Sequence, residues 1–187
     1  MKLLPTINKK INYHFLTFIG LSFYISSCAT QHAQYGKSIK EDTIKGNIIQ
    51  SLYLIGDAGN LDITENKQNL ITLKNELSKA DSASYLIFLG DNIYENGIVI
   101  DSTKSDFLAS REKLQIQIDL AKDFKGKSLF IPGNHDWRNG LKGLKEQEKL
   151  VRKQLDDKKS FLPRDGCPID KINVNDSIGI IAIDSEW

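Results

Sequence analysis

The chain has 187 residues, of which 40% are hydrophobic and 26% are charged, and these fractions are ordinary for a folded globular protein. The 25 Lys and Arg residues nearly balance 24 Asp and Glu residues, which argues against a nucleic-acid-binding protein that depends on bulk positive charge. Two cysteines are too few for a disulfide-rich scaffold or a cysteine-based zinc module, and three histidines are few for a metalloenzyme. The composition therefore predicts one globular domain, with or without attachments, and no nucleic acid as a structural partner.

The first 27 residues are typical of a bacterial lipoprotein signal peptide. A basic start precedes an apolar run over residues 11–24, which is too short to predict a membrane-spanning helix. The run ends in Ile25-Ser26-Ser27-Cys28, which resembles the lipobox, where the cysteine is acylated and becomes the new N-terminus. We therefore expect a lipid on Cys28, contact with the membrane through it, and a location in the bacterial cell envelope, periplasmic or on the outer surface. The alternative is an ordinary signal peptide or membrane anchor with a chance cysteine.

Residues 28–47 are polar and lack apolar periodicity, so we interpret them as a solvated tether that leads to a domain over residues 48–187. Removal of residues 1–27 takes away three lysines and no acidic residue, which leaves 22 basic residues against 24 acidic ones. With Cys28 acylated, Cys167 has no partner in the chain. We interpret it as a buried or partly buried free thiol, because no histidine follows it to activate a catalytic cysteine.

From residue 48 onward, strand patterns alternate with helical ones. Apolar, β-branched-rich runs predict strands over residues 48–55, 85–89, 128–131 and 178–183, with a weaker one at 172–174. Apolar residues recur at helical spacing over residues 70–77, 114–124 and 144–155. This alternation predicts an α/β fold whose central strands are covered on both faces.

The first three predicted strands each end in a glycine followed by an oxygen-bearing side chain. The segments are GDAG at 56–59, GDNIYENG at 90–97 and GNHDW at 133–137. In α/β sheets, polar groups gather at the carboxyl ends of the strands. Two aspartates and an asparagine converging there would form an oxygen-rich pocket for hard or borderline cations, with Tyr94 and His135 beside it. Each motif alone is a common turn, but all three in order after three strands favour a functional site.

In their order and rough spacing, the three motifs resemble those of the calcineurin-like metallophosphoesterases, over about residues 50–184. The resemblance implies that family's αββα sandwich. The first motif of the wider family usually begins Asp-x-His, whereas the third position here is Gly59. Purple acid phosphatases also lack this histidine and supply a tyrosinate from the second motif, where this chain has Tyr94, three residues after Asp91. The missing ligand and the extra candidate fit each other and favour a purple acid phosphatase-like branch.

The resemblance implies two metal ions and a role for each motif residue. Asp57 would bind the first metal and Asp91 would bridge both metals. Tyr94 would add a phenolate to the first metal, and Asn134 would bind the second. A phenolate ligand favours ferric iron with a divalent iron, zinc or manganese ion, and a manganese, zinc or iron pair remains if Tyr94 only packs.

The implied reaction is the hydrolysis of phosphate esters assisted by two cations. His135 would contact the phosphate or protonate the leaving oxygen, and Asp136 would orient His135. We interpret Trp137 as a packing residue. The substrate would be a phosphorylated compound, with monoesters, diesters, nucleotides and protein phosphates all open.

The family normally adds three histidines after the third motif, two of them in a Gly-His-x-His motif, and this sequence has none. His14 falls in the signal peptide and His32 in the tether, which leaves His135 alone in the domain. We therefore expect an N-terminal fragment of a longer enzyme, with a truncated sandwich and poor activity on its own. The alternative is a short, non-catalytic surface lipoprotein that binds a partner through a degenerate metallophosphoesterase scaffold. A nucleotide-binding domain is disfavoured, because no GxxxxGK[ST] loop follows any strand.

Overall fold

A computed structural model describes residues 46–60 and 67–187 of the chain. The predicted signal peptide over residues 1–27, the predicted lipidation site Cys28 and nearly all of the predicted tether lie outside the described residues. Within the described part, no helix is both long enough and apolar enough to cross a bilayer.

Three parallel strands form the central sheet, in the spatial order β1-β2-β3. Their bounds are Leu52–Ile55 for β1, Tyr85–Phe88 for β2 and Lys127–Phe130 for β3, and the first residues of the strands lie side by side. All four residues of β2 are buried, as a central strand with two covered faces requires, and its sequence YLIF is accordingly apolar throughout. β1 begins later than predicted, because Ile48 and Ile49 are exposed and pair with no strand among the described residues.

Three α-helices, Lys67–Ser78 (α1), Phe107–Asp123 (α2) and Gly140–Leu155 (α3), cover one face of the sheet. α2 and α3 carry the apolar faces that the helical spacing predicts. The aromatic rings of Phe88 and Phe130 stack at the centre of the sheet, with 4.3 Å between their centroids. The main core consists of these rings and the side chains packed on them, chiefly Leu86, Ile93, Leu114, Ile118, Leu120, Leu144 and Val151.

An antiparallel hairpin of β4 (Ile169–Asn173) and β5 (Gly179–Ile183) covers the other face of the sheet. Because side chains alternate along a strand, Ile172, Ile180 and Ala182 pack towards the sheet, while the alternate side chains are exposed. The weak strand predicted at 172–174 is therefore present as β4. The predicted α/β fold class, with two sheets and covering helices, is confirmed.

Cys167 precedes the hairpin and is an exposed free thiol, so the prediction of a buried or partly buried cysteine is wrong. The residue follows a short 3₁₀ turn, Arg164–Gly166, that runs over the surface and buries none of its own residues.

An ion pair between Arg164 and Asp170 holds the start of the hairpin. The guanidinium Nε and Nη2 of Arg164 donate to the two carboxylate oxygens of Asp170 at 2.5 and 2.6 Å, and the backbone N–H of Arg164 donates at 3.1 Å. These hydrogen bonds, above all those from the Arg164 side chain, lower the pKa of Asp170 to about 2.

We predict that Arg164→Leu lowers the stability of the domain near neutral pH but much less in acid. The folded-state pKa of Asp170 is about 2, below the value of about 3.9 for an unfolded chain. Its stabilising contribution is therefore present above about pH 4 and is lost as the pH falls towards about 2. Urea unfolding should show a loss of about 1 kcal/mol or less at pH 6.5 and a smaller loss at pH 3.

The matched control for this prediction is Lys159→Leu, since Lys159 is exposed and forms no ion pair with the described residues. This variant should unfold like the wild type at both pH values. An equal loss for Arg164→Leu at pH 6.5 and at pH 3 would contradict the account of the Asp170 carboxylate.

Candidate metal centre

The loops after β1, β2 and β3 lie together at the carboxyl edge of the sheet. Asp57, Asp91 and Asn134, one from each loop, line the same cavity of about 300 Å³. The first two loops are joined by backbone hydrogen bonds, from the N–H of Gly59 to the oxygen of Asp91 at 2.9 Å and from the N–H of Asp57 to the oxygen of Gly90 at 3.3 Å. The structure thus brings the three predicted strand ends together, as the parallel topology implies.

The hydroxyl of Tyr94 lies between the carboxylates of Asp57 and Asp91. Its Oη is 2.5 Å from Oδ1 of Asp57 and 2.9 Å from Oδ2 of Asp91. The hydrogen bond to Asp57 is the main cause, and that to Asp91 the next, of a raised pKa for Tyr94, because both carboxylates stabilise the protonated phenol. A cation at this place would reverse the effect, since positive charge favours the phenolate.

Asp57 and Asp91 both adopt left-handed backbone conformations, with φ of 56° and 51°. Aspartate tolerates this region better than most residues, but the conformation is still uncommon for a residue with a side chain. Strained backbone of this kind concentrates at ligand-binding sites, where the surrounding structure holds it in place. Asp156 and Asp165 adopt the same conformation in turns away from this edge, so the position of Asp57 and Asp91 directly after neighbouring strands, and not the conformation alone, marks the candidate site.

Two glycines allow the motifs to approach closely. A Cβ at Gly133 would overlap the backbone N–H and the carboxylate of Asp91. A Cβ at Gly59 would overlap the backbone of Asn92 and Ile93. Position 59 therefore has no room for a side chain in this protein.

Asp136 is fully buried and binds the second and third motifs together. Its carboxylate accepts hydrogen bonds from the backbone N–H groups of Asn92, Ile93 and Gly133 at 2.8–3.1 Å, and from the Asn92 side chain at 3.1 Å. Burial raises the pKa of Asp136 to about 6, although the bonds from Gly133 and Asn92 oppose this shift. The structure thus places Asp136 beneath the loops, and not at the ring of His135, which we expected it to orient.

The ring of His135 takes its partner from the second motif. Nδ1 lies 2.6 Å from the carbonyl oxygen of Glu95, and the ring is tilted against that of Tyr94 with 4.3 Å between the centroids. Because a carbonyl oxygen only accepts, Nδ1 carries a proton and Nε2 is the nitrogen left for chemistry. The backbone N–H of His135 also donates to Oδ1 of Asp91 at 3.0 Å, which orients this carboxylate.

Three further polar residues support the site without having been predicted. Asn92 and Gln117 are both fully buried, and Nε2 of Gln117 donates to the backbone oxygen of Asn92 at 2.6 Å. Asp184 lines the cavity and accepts a hydrogen bond from the indole of Trp137. The available signals were a glutamine on the apolar face of α2 and an aspartate directly after a strand.

The donor set fits a hard or borderline cation, because Asp57, Asp91, Tyr94 and Asn134 all offer oxygen atoms. The carboxamide of Asn134 is exposed and forms no hydrogen bond with the described residues, so it is free to bind. Among the residues that the structure describes, no three or more His, Cys, Asp or Glu side chains are grouped to hold a metal. The four-residue set contains only two carboxylates, so a phenol and a carboxamide must complete it.

The sequence model of one family, calcineurin-like phosphoesterase, matches residues 51–182. Comparisons with curated proteins and with solved structures gave no significant match. The matched range begins beside β1, contains all three motifs and ends within β5. It also spans well over half of the 187 residues. On this match, and on the strand order and loops described above, the chain belongs to the calcineurin-like phosphoesterase family.

Proposed function

We propose that this domain is a dinuclear metallophosphoesterase of a purple acid phosphatase-like branch, which hydrolyses phosphate esters. Membership of the family supports phosphoester hydrolysis in general. The assignment to a purple acid phosphatase-like branch is supported above all by the hydroxyl of Tyr94, which lies 2.5 Å from a carboxylate oxygen of Asp57 and 2.9 Å from one of Asp91. The Gly59 contacts add support, because they leave no space for the histidine that the wider family uses.

In this proposal, Asp57, Asp91 and Tyr94 hold the first cation, and Asp91 and Asn134 contribute to the second. A phenolate ligand favours ferric iron at the first position, paired with divalent iron, zinc or manganese. When bound, two such cations supply Lewis-acid activation of the phosphate and of water.

The chain's own residues contribute positioning and proton transfer. The contact of His135 Nδ1 with the Glu95 carbonyl, together with the Tyr94 ring, fixes the imidazole and leaves Nε2 for a phosphate oxygen or the leaving oxygen. Asp136 holds the two loops that carry Asp91 and His135. The family normally supplies three further histidines after the third motif, but His135 is the only histidine among residues 48–187. We therefore expect the 187-residue chain to turn over p-nitrophenyl phosphate slowly at best.

We predict that Asp91→Asn abolishes tight metal binding, since it removes the charge of the residue that we assign to both cations. The loss in affinity should exceed about 100-fold, which is beyond the effect typical of residues that only support a ligand. The measurement is the metal content of purified, desalted protein after loading with ferric iron and zinc. Asp176→Asn is the matched control, because Asp176 is exposed in the turn between β4 and β5.

Wild-type protein and the Asp176→Asn control should retain at least one metal ion per chain. Wild-type protein that retains less than one would contradict the proposed enzyme and favour a non-catalytic lipoprotein that binds a partner. Equal metal content in wild type and Asp91→Asn would remove Asp91 from the site.

We predict that iron-loaded protein is coloured and that Tyr94→Phe is colourless. A phenolate bound to ferric iron absorbs visible light by charge transfer, whereas a phenol with a raised pKa does not. The measurement is the visible spectrum together with the iron content. Tyr53→Phe is the control, because the ring of Tyr53 packs edge-on against Phe124 in the core; that variant should keep the colour. Colour that survives in Tyr94→Phe would show that another group supplies the phenolate.

The proposed attachment of the protein to the bacterial envelope depends on a lipid at Cys28. We predict that labelled palmitate is incorporated into the protein in growing bacteria, and that Cys28→Ser loses the label and leaves the membrane fraction. Cys167→Ser is the matched control, because Cys167 is the exposed thiol of the described domain. Label that persists in Cys28→Ser, or that is lost in Cys167→Ser, would contradict the lipid anchor.

A further inference from the structure

Asp184 follows β5 and lines the same cavity as Asp57, Asp91 and Asn134. Its side chain accepts hydrogen bonds from the indole Nε1 of Trp137, at 3.1 Å to Oδ1 and 2.9 Å to Oδ2. The bond spans 47 positions of the sequence and joins the hairpin to the turn of the third motif. We propose that Asp184 is a positioning residue of the metal centre, which acts through Trp137 on Asn134 and His135.

Asp184 is itself held firmly, as a positioning residue must be. The residue is 7% exposed. Its backbone N–H donates to the oxygen of Pro168, at the start of the hairpin, at 2.8 Å, and its Oδ1 accepts from the backbone N–H of Glu186 at 3.1 Å. The partly buried indole N–H of Trp137 donates to a carboxylate, and hydrogen bonds to a charged acceptor are stronger than those between neutral groups. Asp184 thus presents Trp137 with an acceptor fixed by the main chain.

Trp137 passes this constraint to the third motif. It lies in the 3₁₀ turn Asp136–Asn139, directly after Asn134 and His135, and its ring packs against the main core. The backbone N–H of Arg138 donates to the oxygen of His135 at 3.1 Å, so the turn and the histidine form one hydrogen-bonded unit. The Asp136 carboxylate binds the backbone N–H of Gly133 at the start of this unit. The hydrogen bond between Trp137 and Asp184 connects the unit to the end of β5 in the second sheet.

The other ligands come from loops that Asp184 does not touch. Asp57, Asp91 and Tyr94 are held by the backbone contacts between the first two motifs and by their own hydrogen bonds. The bond that Asp91 accepts from the third motif comes from the backbone N–H of His135, in a segment that Asp136 also anchors independently of Asp184. Loss of the Trp137–Asp184 bond should therefore loosen Asn134 and the second cation, while the first cation keeps its ligands. This selectivity separates positioning from a general role in folding.

The inference rests on the proposed function, and one experiment on the full chain tests both separately. Trp187→Phe serves as the background, so that Trp137 is the only tryptophan. The protein is loaded with ferric iron, the charge-transfer band is recorded, and Mn²⁺ is then titrated while free Mn²⁺ is measured by electron paramagnetic resonance. Quenching of Trp137 emission gives an independent reading of Mn²⁺ binding.

We expect Asp184→Ala and Trp137→Phe each to weaken Mn²⁺ binding by about 10-fold or more, the loss typical of groups that orient metal ligands. The double variant should be no weaker than the worse single variant, because both changes remove the same bond. Asp184→Asn keeps one acceptor oxygen and should lose less than Asp184→Ala. The charge-transfer band should be unchanged throughout, which also shows that the variants are folded.

Several results would overturn the inference. Mn²⁺ binding like that of the background in Asp184→Ala or Trp137→Phe, with the band intact, would overturn the inference alone. If the variants lose both the charge-transfer band and Mn²⁺ binding, Asp184 and Trp137 support folding instead of positioning the ligands of the second cation. A loss in Asp184→Asn as large as in Asp184→Ala would mean that charge carries the effect, not the bond to Trp137. Absence of both the band and Mn²⁺ binding from the background protein would overturn the proposed function as well.

Discussion

The buried carboxylate of Asp136 binds the backbone of the loops after β2 and β3, and the rest of the site depends on this contact. Without it, the buried N–H groups of Asn92 and Ile93 would have no partners, at a cost of about 1–3 kcal/mol each, and the half-buried N–H of Gly133 would lose its acceptor. With it, the second and third motifs form one rigid unit at the edge of the sheet. A carboxylate can serve three amides at once, which explains why an acidic residue occupies a fully buried position.

The chemistry of the site follows from how closely these loops are packed. Gly133 lies against the carboxylate of Asp91, and the backbone N–H of His135 donates to that same carboxylate. Asp57 approaches from the first loop, so two carboxylates face a single phenolic proton on Tyr94. An arrangement that concentrates negative oxygen atoms around one exchangeable proton is well suited to replacing the proton with a cation.

Much of this arrangement could be predicted from sequence patterns. The apolar run YLIF predicted a strand buried on both faces, and the helical spacing of Leu144 and Val151 predicted α3. The rule that ligand groups gather at the carboxyl ends of parallel strands predicted that Asp57, Asp91 and Asn134 meet. These predictions depend on local periodicity and topology, which a sequence displays directly.

Other features depend on contacts that no local pattern encodes. Asp136 is next to His135 in the chain, but the turn of the backbone sends its side chain beneath the loops. Ile48 and Ile49 extend an apolar run, yet they pair with no strand in the part of the chain that the structure describes. Asp184 reaches Trp137 only because the hairpin folds across the sheet, and Cys167 is exposed because the chain crosses the surface there.

The central claim is that Asp57, Asp91 and Tyr94 hold a metal ion together. The most direct measurement is X-ray diffraction from crystals of the iron-loaded chain, with data collected on both sides of the iron absorption edge. The account predicts an anomalous peak bonded to the hydroxyl oxygen of Tyr94 and to a carboxylate oxygen of each aspartate. An iron-loaded crystal without a peak at this position, or with iron that Tyr94 does not contact, would contradict it.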